Sequence, residues 1–239
     1  MNRTTSLFLV LGLGVCTQAL ADLTADQIID KSIQATGGKA AYDRQKTLVM
    51  TGTIEVKMQG LKGSIVTYQK DPDKVLVVTT LPGLGDFKQG YDGKTAWAQD
   101  RLTGLRKLEG QERAAFIREA NNSVLKWKTL YTSIKVTGKV KVGDRDTYAV
   151  KLVPKEGEPS TQYFDVETFL VLRADVVQKG PQGTMAVQNY LSDYRVVSGV
   201  KMPFMTTMKT PVGDMVLQLT SVKANTPIDD AKFAFPKGK

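Results

Sequence analysis

The chain has 239 residues, with 33 Lys and Arg against 24 Asp and Glu, no histidine and one cysteine, Cys16. Without histidine there is no near-neutral imidazole for acid–base catalysis or metal ligation. Cys16 lies in a segment read below as a leader, so thiolate nucleophiles, thiolate metal sites and disulfides are excluded with it.

The N-terminus reads as an export signal. Asn2 and Arg3 give a weakly basic start, Leu7 to Val15 is apolar, and Ala19-Leu20-Ala21 fits small-x-small cleavage after Ala21. The apolar run is shorter than the roughly 20 residues that span a bilayer. Leu13-Gly14-Val15-Cys16 loosely resembles a lipidation box, but branched Val15 stands where a small residue is needed. Cleavage is expected to leave residues 22–239 as a single periplasmic domain. Loss of Arg3 lowers the net charge from +9 to +8. Such a protein is drawn to anionic membrane surfaces and phosphate-bearing glycolipids, although ordinary solubility charge accounts for the same surplus. The basic residues are scattered, which speaks against nucleic acid.

Thr24 followed by Gln27 makes a capping box, after which Ile28, Ile29 and Ile33 share one helix face and Gly37-Gly38 end the helix. The period then changes to two: Ile54, Val56 and Met58 alternate with Thr53, Glu55 and Lys57. Ser64–Gln69 and Lys74–Thr80 read as further strands, and Phe87–Tyr91 and Thr95–Gln99 flank the tight-turn pair Asp92-Gly93. Glu109–Asn121 is a helical interruption. Ile134, Val136, Val140 and Val142 resume the strand pattern. Strands near Thr147–Val153, Gln162–Phe164, Leu170–Gln178, Met185–Val196, Phe204–Lys209 and Met215–Lys223 follow, separated by Gly, Pro and Asp. The pattern predicts an α+β fold: one large curved antiparallel sheet of about 10–11 strands, an unclosed half-barrel, with two or three helices on its concave face.

No motif speaks for catalysis. Asp71/Asp73, Asp144/Asp146 and Asp229/Asp230 sit beside turn formers, and Gly83-x-Gly85 and Gly180-x-x-Gly183 lack the context of phosphate loops. Carboxylate-only or Ser/Lys chemistry is not advertised, so a non-enzymatic protein without metal or cofactor is expected. The Lys135/Lys139/Lys141 row reads as the solvated face of a strand rather than a phosphate-facing stripe. Leu81-Pro82-Gly83-Leu84-Gly85-Asp86-Phe87 puts apolar side chains where a polar loop belongs. It is either a mobile lip over an apolar cavity or a hairpin connection tucked into the core. A strongly curved sheet capped by small helices leaves a hollow, and Met and aromatic side chains suit one that accepts flexible chains. Its candidate lining is Val56, Met58, Tyr68, Leu76, Val78, Leu81, Leu84, Phe87, Trp97, Phe116, Tyr190, Tyr194 and Met205.

Several segments together resemble the outer-membrane lipoprotein-sorting family, the LolA/LolB-like carriers. These are Tyr91-Asp92-Gly93-Lys94-Thr95-Ala96-Trp97, Tyr163-Phe164-Asp165-Val166-Glu167-Thr168 with Leu170 to Arg173, Tyr190 to Tyr194 followed by Gly199 to Pro203, and Phe233-Ala234-Phe235-Pro236. The first helix running into the Thr51–Met58 strand fits the same pattern. The resemblance implies a half-barrel with a helical lid over a lipid-sized cavity, and a carrier for lipid, lipoprotein acyl chains or a similar apolar ligand. Its partners would be lipid or lipidated protein, with transient contact to a membrane surface or envelope proteins. An envelope protein-interaction or sensing module on the same scaffold is the alternative. One departure stands out. In the sorting carrier an arginine before the strand-ending proline helps latch the lid, and here Asp71 precedes Pro72.

Overall fold

The computed structural model describes residues 23–120, 123–180 and 183–236; the predicted leader lies outside them. The first helix, α1 (Ala25–Ala35), starts with the expected reciprocal cap. Thr24 Oγ1 accepts from the Gln27 N–H at 3.3 Å, and Gln27 Oε1 accepts from the Thr24 N–H at 2.9 Å. Gly37 and Gly38 end α1, but Gly38 also begins a second short helix, α2 (Gly38–Arg44). The remaining helices are α3 (Gly110–Ala120), where the interruption was predicted, and the single turn α4 (Trp127–Leu130).

Thirteen strands form one antiparallel sheet. They are β1 (Thr47–Val56), β2 (Leu61–Lys70), β3 (Lys74–Leu81), β4 (Gly85–Tyr91), β5 (Ala96–Asp100), β6 (Gly104–Lys107), β7 (Tyr131–Val142), β8 (Arg145–Pro154), β9 (Ser160–Asp165), β10 (Val171–Gly180), β11 (Gly183–Val197), β12 (Val200–Thr210) and β13 (Gly213–Ala224). Their spatial order is β6-β5-β4-β3-β2-β1-β13-β12-β11-β10-β9-β8-β7. Two meanders are thus joined by pairing β1 with β13. The count exceeds the predicted 10–11 in part because the four-residue β6, which pairs with the expected β5 in a short edge hairpin, is too brief to show a period.

Curvature follows from α3. Strands lie about 4.8 Å apart, so β5 and β10, eight places apart in the sheet, would stand roughly 38 Å apart if it were flat. Yet α3 contacts both. The sheet therefore curls around α3, while its edges β6 and β7 stay unpaired with each other.

Register defines the two faces. Val75–Tyr91, Val77–Thr67, Ile65–Gly52, Ile54–Leu217, Met215–Met208, Asn189–Ala174 and Gln162–Val150 belong to one continuous face. On it, α1 and Trp127 bury Val150, Leu152 and Phe164, and α3 lays Phe116 and Ile117 on the Val75, Tyr91, Ala96 and Ala98 cluster. This is the concave face. The convex face at the β3–β5 end is covered by the C-terminal segment, where Ile228 and Phe233 pack on Leu76 and Trp97. Trp97 Nε1 donates to the Phe233 carbonyl at 3.1 Å. Asp230 bridges Lys70 and Lys74, each at 2.7 Å, and these two ammoniums hold its carboxyl down to about 2.

The β1–β13 seam is tight. A bulge at Thr51/Gly52 leaves Thr220 unpaired in register, its hydroxyl donating to the Thr51 carbonyl at 3.2 Å. A Cβ on Gly52 would stand 2.4 Å from the backbone oxygen of Gln218. Gly52→Ala must push the two strands apart, and we expect a loss of about 1–3 kcal/mol in urea unfolding; an unchanged midpoint would contradict this account of the seam.

The β9–β10 turn depends on Asp165, whose carboxylate is buried. Its Oδ1 accepts from Arg145 Nη2 (2.9 Å), from the N–H groups of Glu167 (3.1 Å) and Thr168 (2.7 Å), and from the Thr168 hydroxyl (2.8 Å). Burial pushes this carboxyl up, but the Thr168, Arg145 and Glu167 donors outweigh it and hold it below the usual range. A depressed folded-state value stabilises the fold above the unfolded carboxylate value and loses that contribution as pH falls through the folded one. Asp165→Asn is therefore expected to cost about 1–3 kcal/mol near neutrality, and parent and variant unfolding midpoints should begin to converge once the pH falls below the unfolded carboxylate value of about 4. A gap independent of pH would exclude the charge as its cause.

Candidate functional site

Five adjacent strands across the middle of the sheet keep every charge off one face. On β3, β2, β1, β13 and β12 every charged residue occupies a convex position: Glu55, Lys62, Lys70, Lys74, Lys201, Lys209, Asp214 and Lys223. Their concave positions carry the buried Leu48, Ile54, Val75, Val200, Phe204 and Leu219, and between them Met50, Val56, Ile65, Met208, Met215 and Leu217, apolar and only half-buried. The most extensive helix contacts with the sheet are those to β5, β7, β10 and β12.

Beside the floor opens a cavity of about 680 Å³. It spans from Phe87 and Gln89 on β4 across Arg106 and Glu112 to Met185 on β11 and Pro211-Val212 in the β12–β13 turn. Its volume lies within the range of about 300–1,000 Å³ typical of ligand sites. Phe87, Leu102, Met185, Ala186, Pro211 and Val212 line it on the apolar side. Gln89, Asp100, Thr103, Arg106, Glu112, Gln178 and Thr184 supply polar groups around them. Among the described residues no group of three or more His, Cys, Asp or Glu could hold a metal ion.

The sequence matches no protein-family model and no curated protein. Solved structures do match. A DUF1329-family protein of Desulfovibrio piger is 17% identical over 88% of this chain and 97% of its own, with a TM-score of 0.58. A LolA superfamily protein of Nitrosomonas europaea is 14% identical over 89% of this chain and 98% of its own, also at 0.58. A Vibrio parahaemolyticus domain assigned to outer membrane lipoprotein sorting is 10% identical over 87% and 97%, at 0.56. The fold is LolA-like. At these identities the likeness is one of fold, and it agrees with the resemblance carried by the sequence motifs.

Within this LolA-like frame the predicted lining residues divide between the faces. Val56 lies on the concave floor and Phe87 lines the cavity; Phe116 anchors α3 beside it. Leu81 ends β3 on the concave side. Met58 and Leu84 stand exposed in the β1–β2 and β3–β4 turns. Tyr68, Leu76, Val78 and Trp97 are turned to the convex side, under the C-terminal segment, so they do not line the hollow. Tyr190 and Met205 are convex as well, and the Arg173 guanidinium stacks over Tyr190 at 5.6 Å and over Tyr163 at 4.7 Å. Tyr194 donates its hydroxyl to the Val171 carbonyl at 2.6 Å and is likewise a structural residue. The lysine row is split by a bulge at Val136/Gly138. Lys135 stays opposite Lys151 on the convex side, while Lys139 reaches over the Tyr148 ring and Lys141 pairs with Asp146.

Sequence reasoning passed over the tie that holds α3 to the sheet edge. Arg106 on β6 donates to both carboxylate oxygens of Glu112 in the first turn of α3, at 2.7 and 2.6 Å. At the other end of α3, Arg118 donates to the Glu156 carbonyl at 3.0 Å. Asp71 pairs with Lys46 at the surface. The signal was present only as Arg106 and Glu112 six residues apart across a strand–helix junction. Arg106 Nε is buried without a partner among the described residues, so the tie depends on Glu112 alone. Glu112→Gln should loosen α3 by about 1 kcal/mol. Amide exchange across Gly110–Ala120 should then speed up by about fivefold with the sheet unchanged; uniform exchange in parent and variant would sink the tie.

Proposed function

We propose that the chain is an exported, single-domain, non-enzymatic carrier that shelters the hydrocarbon of a lipid or lipidated protein in an aqueous envelope compartment. The observation that carries this reading is the uncharged, partly exposed concave floor with the 680 Å³ cavity beside it. A folded protein leaves such apolar area uncovered at a cost of about 25 cal/mol per Å², which a hydrocarbon guest removes. Each methylene buried contributes about 0.8 kcal/mol, so one acyl chain binds usefully with few polar anchors. Met208, Met215 and Met50 adapt to chains of varied shape because the thioether is unbranched and rotatable. The assignment of one fold neighbour to lipoprotein sorting points the same way.

A protein-interaction module without transport is the second reading, favoured by the convex stack of Arg173 between Tyr163 and Tyr190, residue types enriched at interfaces. Native mass spectrometry of protein purified from its own host, before and after organic extraction, separates the two. The carrier is expected to show lipid mass that extraction removes. An unliganded mass with no extractable lipid, together with a cross-linked protein partner, would instead establish the module.

A further inference from the structure

In the two meanders, the β1–β2, β3–β4, β5–β6, β8–β9, β10–β11 and β12–β13 turns all fall at one end of the sheet. Six large hydrophobic side chains are exposed among the described residues, and four of them are tips of these turns: Met58 (68%), Leu84 (45%), Leu102 (80%) and Val212 (65%). The cavity opens at the same end, with Leu102 and Val212 in its lining. Met58 lies against Gly213, so the β1–β2 and β12–β13 tips form a continuous stretch of rim.

The tips are held outward by bonds inside each turn. Asp100 accepts from the N–H groups of Leu102 and Thr103, both at 2.7 Å, Leu84 N–H donates to the Leu81 carbonyl at 3.1 Å, and Val212 N–H donates to the Thr210 hydroxyl at 3.2 Å. Of the rim carboxylates, Asp100 is engaged in its own turn, Asp86 with Thr80 and Lys88, and Glu55 with Lys57; the β8–β9 turn adds Glu156 and Glu158 beside Lys155. Asp214 stands opposite Lys209 in register. Lys62 stands opposite Glu55 in register and shares that carboxylate with Lys57, while Arg101 in the β5–β6 turn makes no ion pair among the described residues.

We propose that this rim docks on an anionic bilayer, its four apolar tips entering the headgroup–acyl boundary while Arg101 meets lipid phosphates. Separate knobs on separate turns fit a fluid interface better than a protein, which would bury one contiguous patch. The excess positive charge of the chain adds attraction to anionic lipid. Docked this way, the cavity mouth faces the membrane, and a guest passes without crossing water. The proposal deepens the carrier reading and rests on it for its purpose, but its test uses delipidated protein, so either can fail without the other.

The test is flotation of the delipidated exported chain with vesicles of phosphatidylethanolamine and phosphatidylglycerol, and with neutral phosphatidylcholine vesicles. The parent should bind the anionic vesicles. The variant Met58→Ser/Leu84→Ser/Leu102→Ser/Val212→Ser, matched to the parent by circular dichroism and thermal unfolding, should bind at least about tenfold more weakly. Val140→Ser/Val196→Ser removes the other two exposed hydrophobic side chains and should bind like the parent. A parent that ignores anionic vesicles, a rim variant that binds undiminished, or equal loss in both variants overturns the proposal. Cross-linking of the rim to an envelope protein by a parent that ignores vesicles overturns it in favour of protein docking.

Discussion

Pairing of β1 with β13, strands from opposite ends of the chain, turns two separate meanders into one layer. Val56 meets Met215 across this seam, and Leu48 meets Ala224 at its other end. Each meander can form from local hairpins, but only the long-range pairing makes them continuous. It aligns their turns at one end and lets the sheet curl far enough for α3 to reach from β5 to β10. The absence of a side chain at Gly52 is what lets the two backbones approach so closely.

Given that single layer, the period of two does the rest. Side chains alternate between faces, so a strand that carries its charges at one parity must present the other parity free of charge. On β3, β2, β1, β13 and β12 this separation is complete, and the concave side becomes an apolar floor that protein covers only in part. The helices do not fill the hollow because each is committed elsewhere, α1 to the Val150–Phe164 cluster and α3 to the Val75–Ala98 cluster. Between these two clusters part of the floor is only half-buried, and beside it Arg106 and Glu112 tie α3 to β6.

Much of the fold was legible. The capping box at Thr24, the Asp92-Gly93 turn and the alternation in β1, β8 and β13 appear as the residues imply. The short α2 was hidden because it begins at Gly38, a residue type that ordinarily marks an end. The lining was harder. Alternation shows that Trp97 and its neighbours Ala96 and Ala98 face opposite ways, yet it does not say which way is inward. Size suggested that the indole faces the hollow. In fact Phe233 and Ile228, from the far end of the chain, supply its apolar cover on the outside, leaving two alanines under α3.

The sequence by itself determined the class of the fold and the chemistries it lacks. Composition and alternation are local properties, and they survive any tertiary arrangement: no imidazole, one thiol at position 16, strands with one charged parity and one apolar. Only the tertiary structure decided which parity is concave, which large side chains are core, and that the exposed turn tips gather at one mouth. Those outcomes depend on contacts between residues far apart in the chain, such as Val56 with Met215 and Trp97 with Phe233, and no periodicity within a segment carries that information.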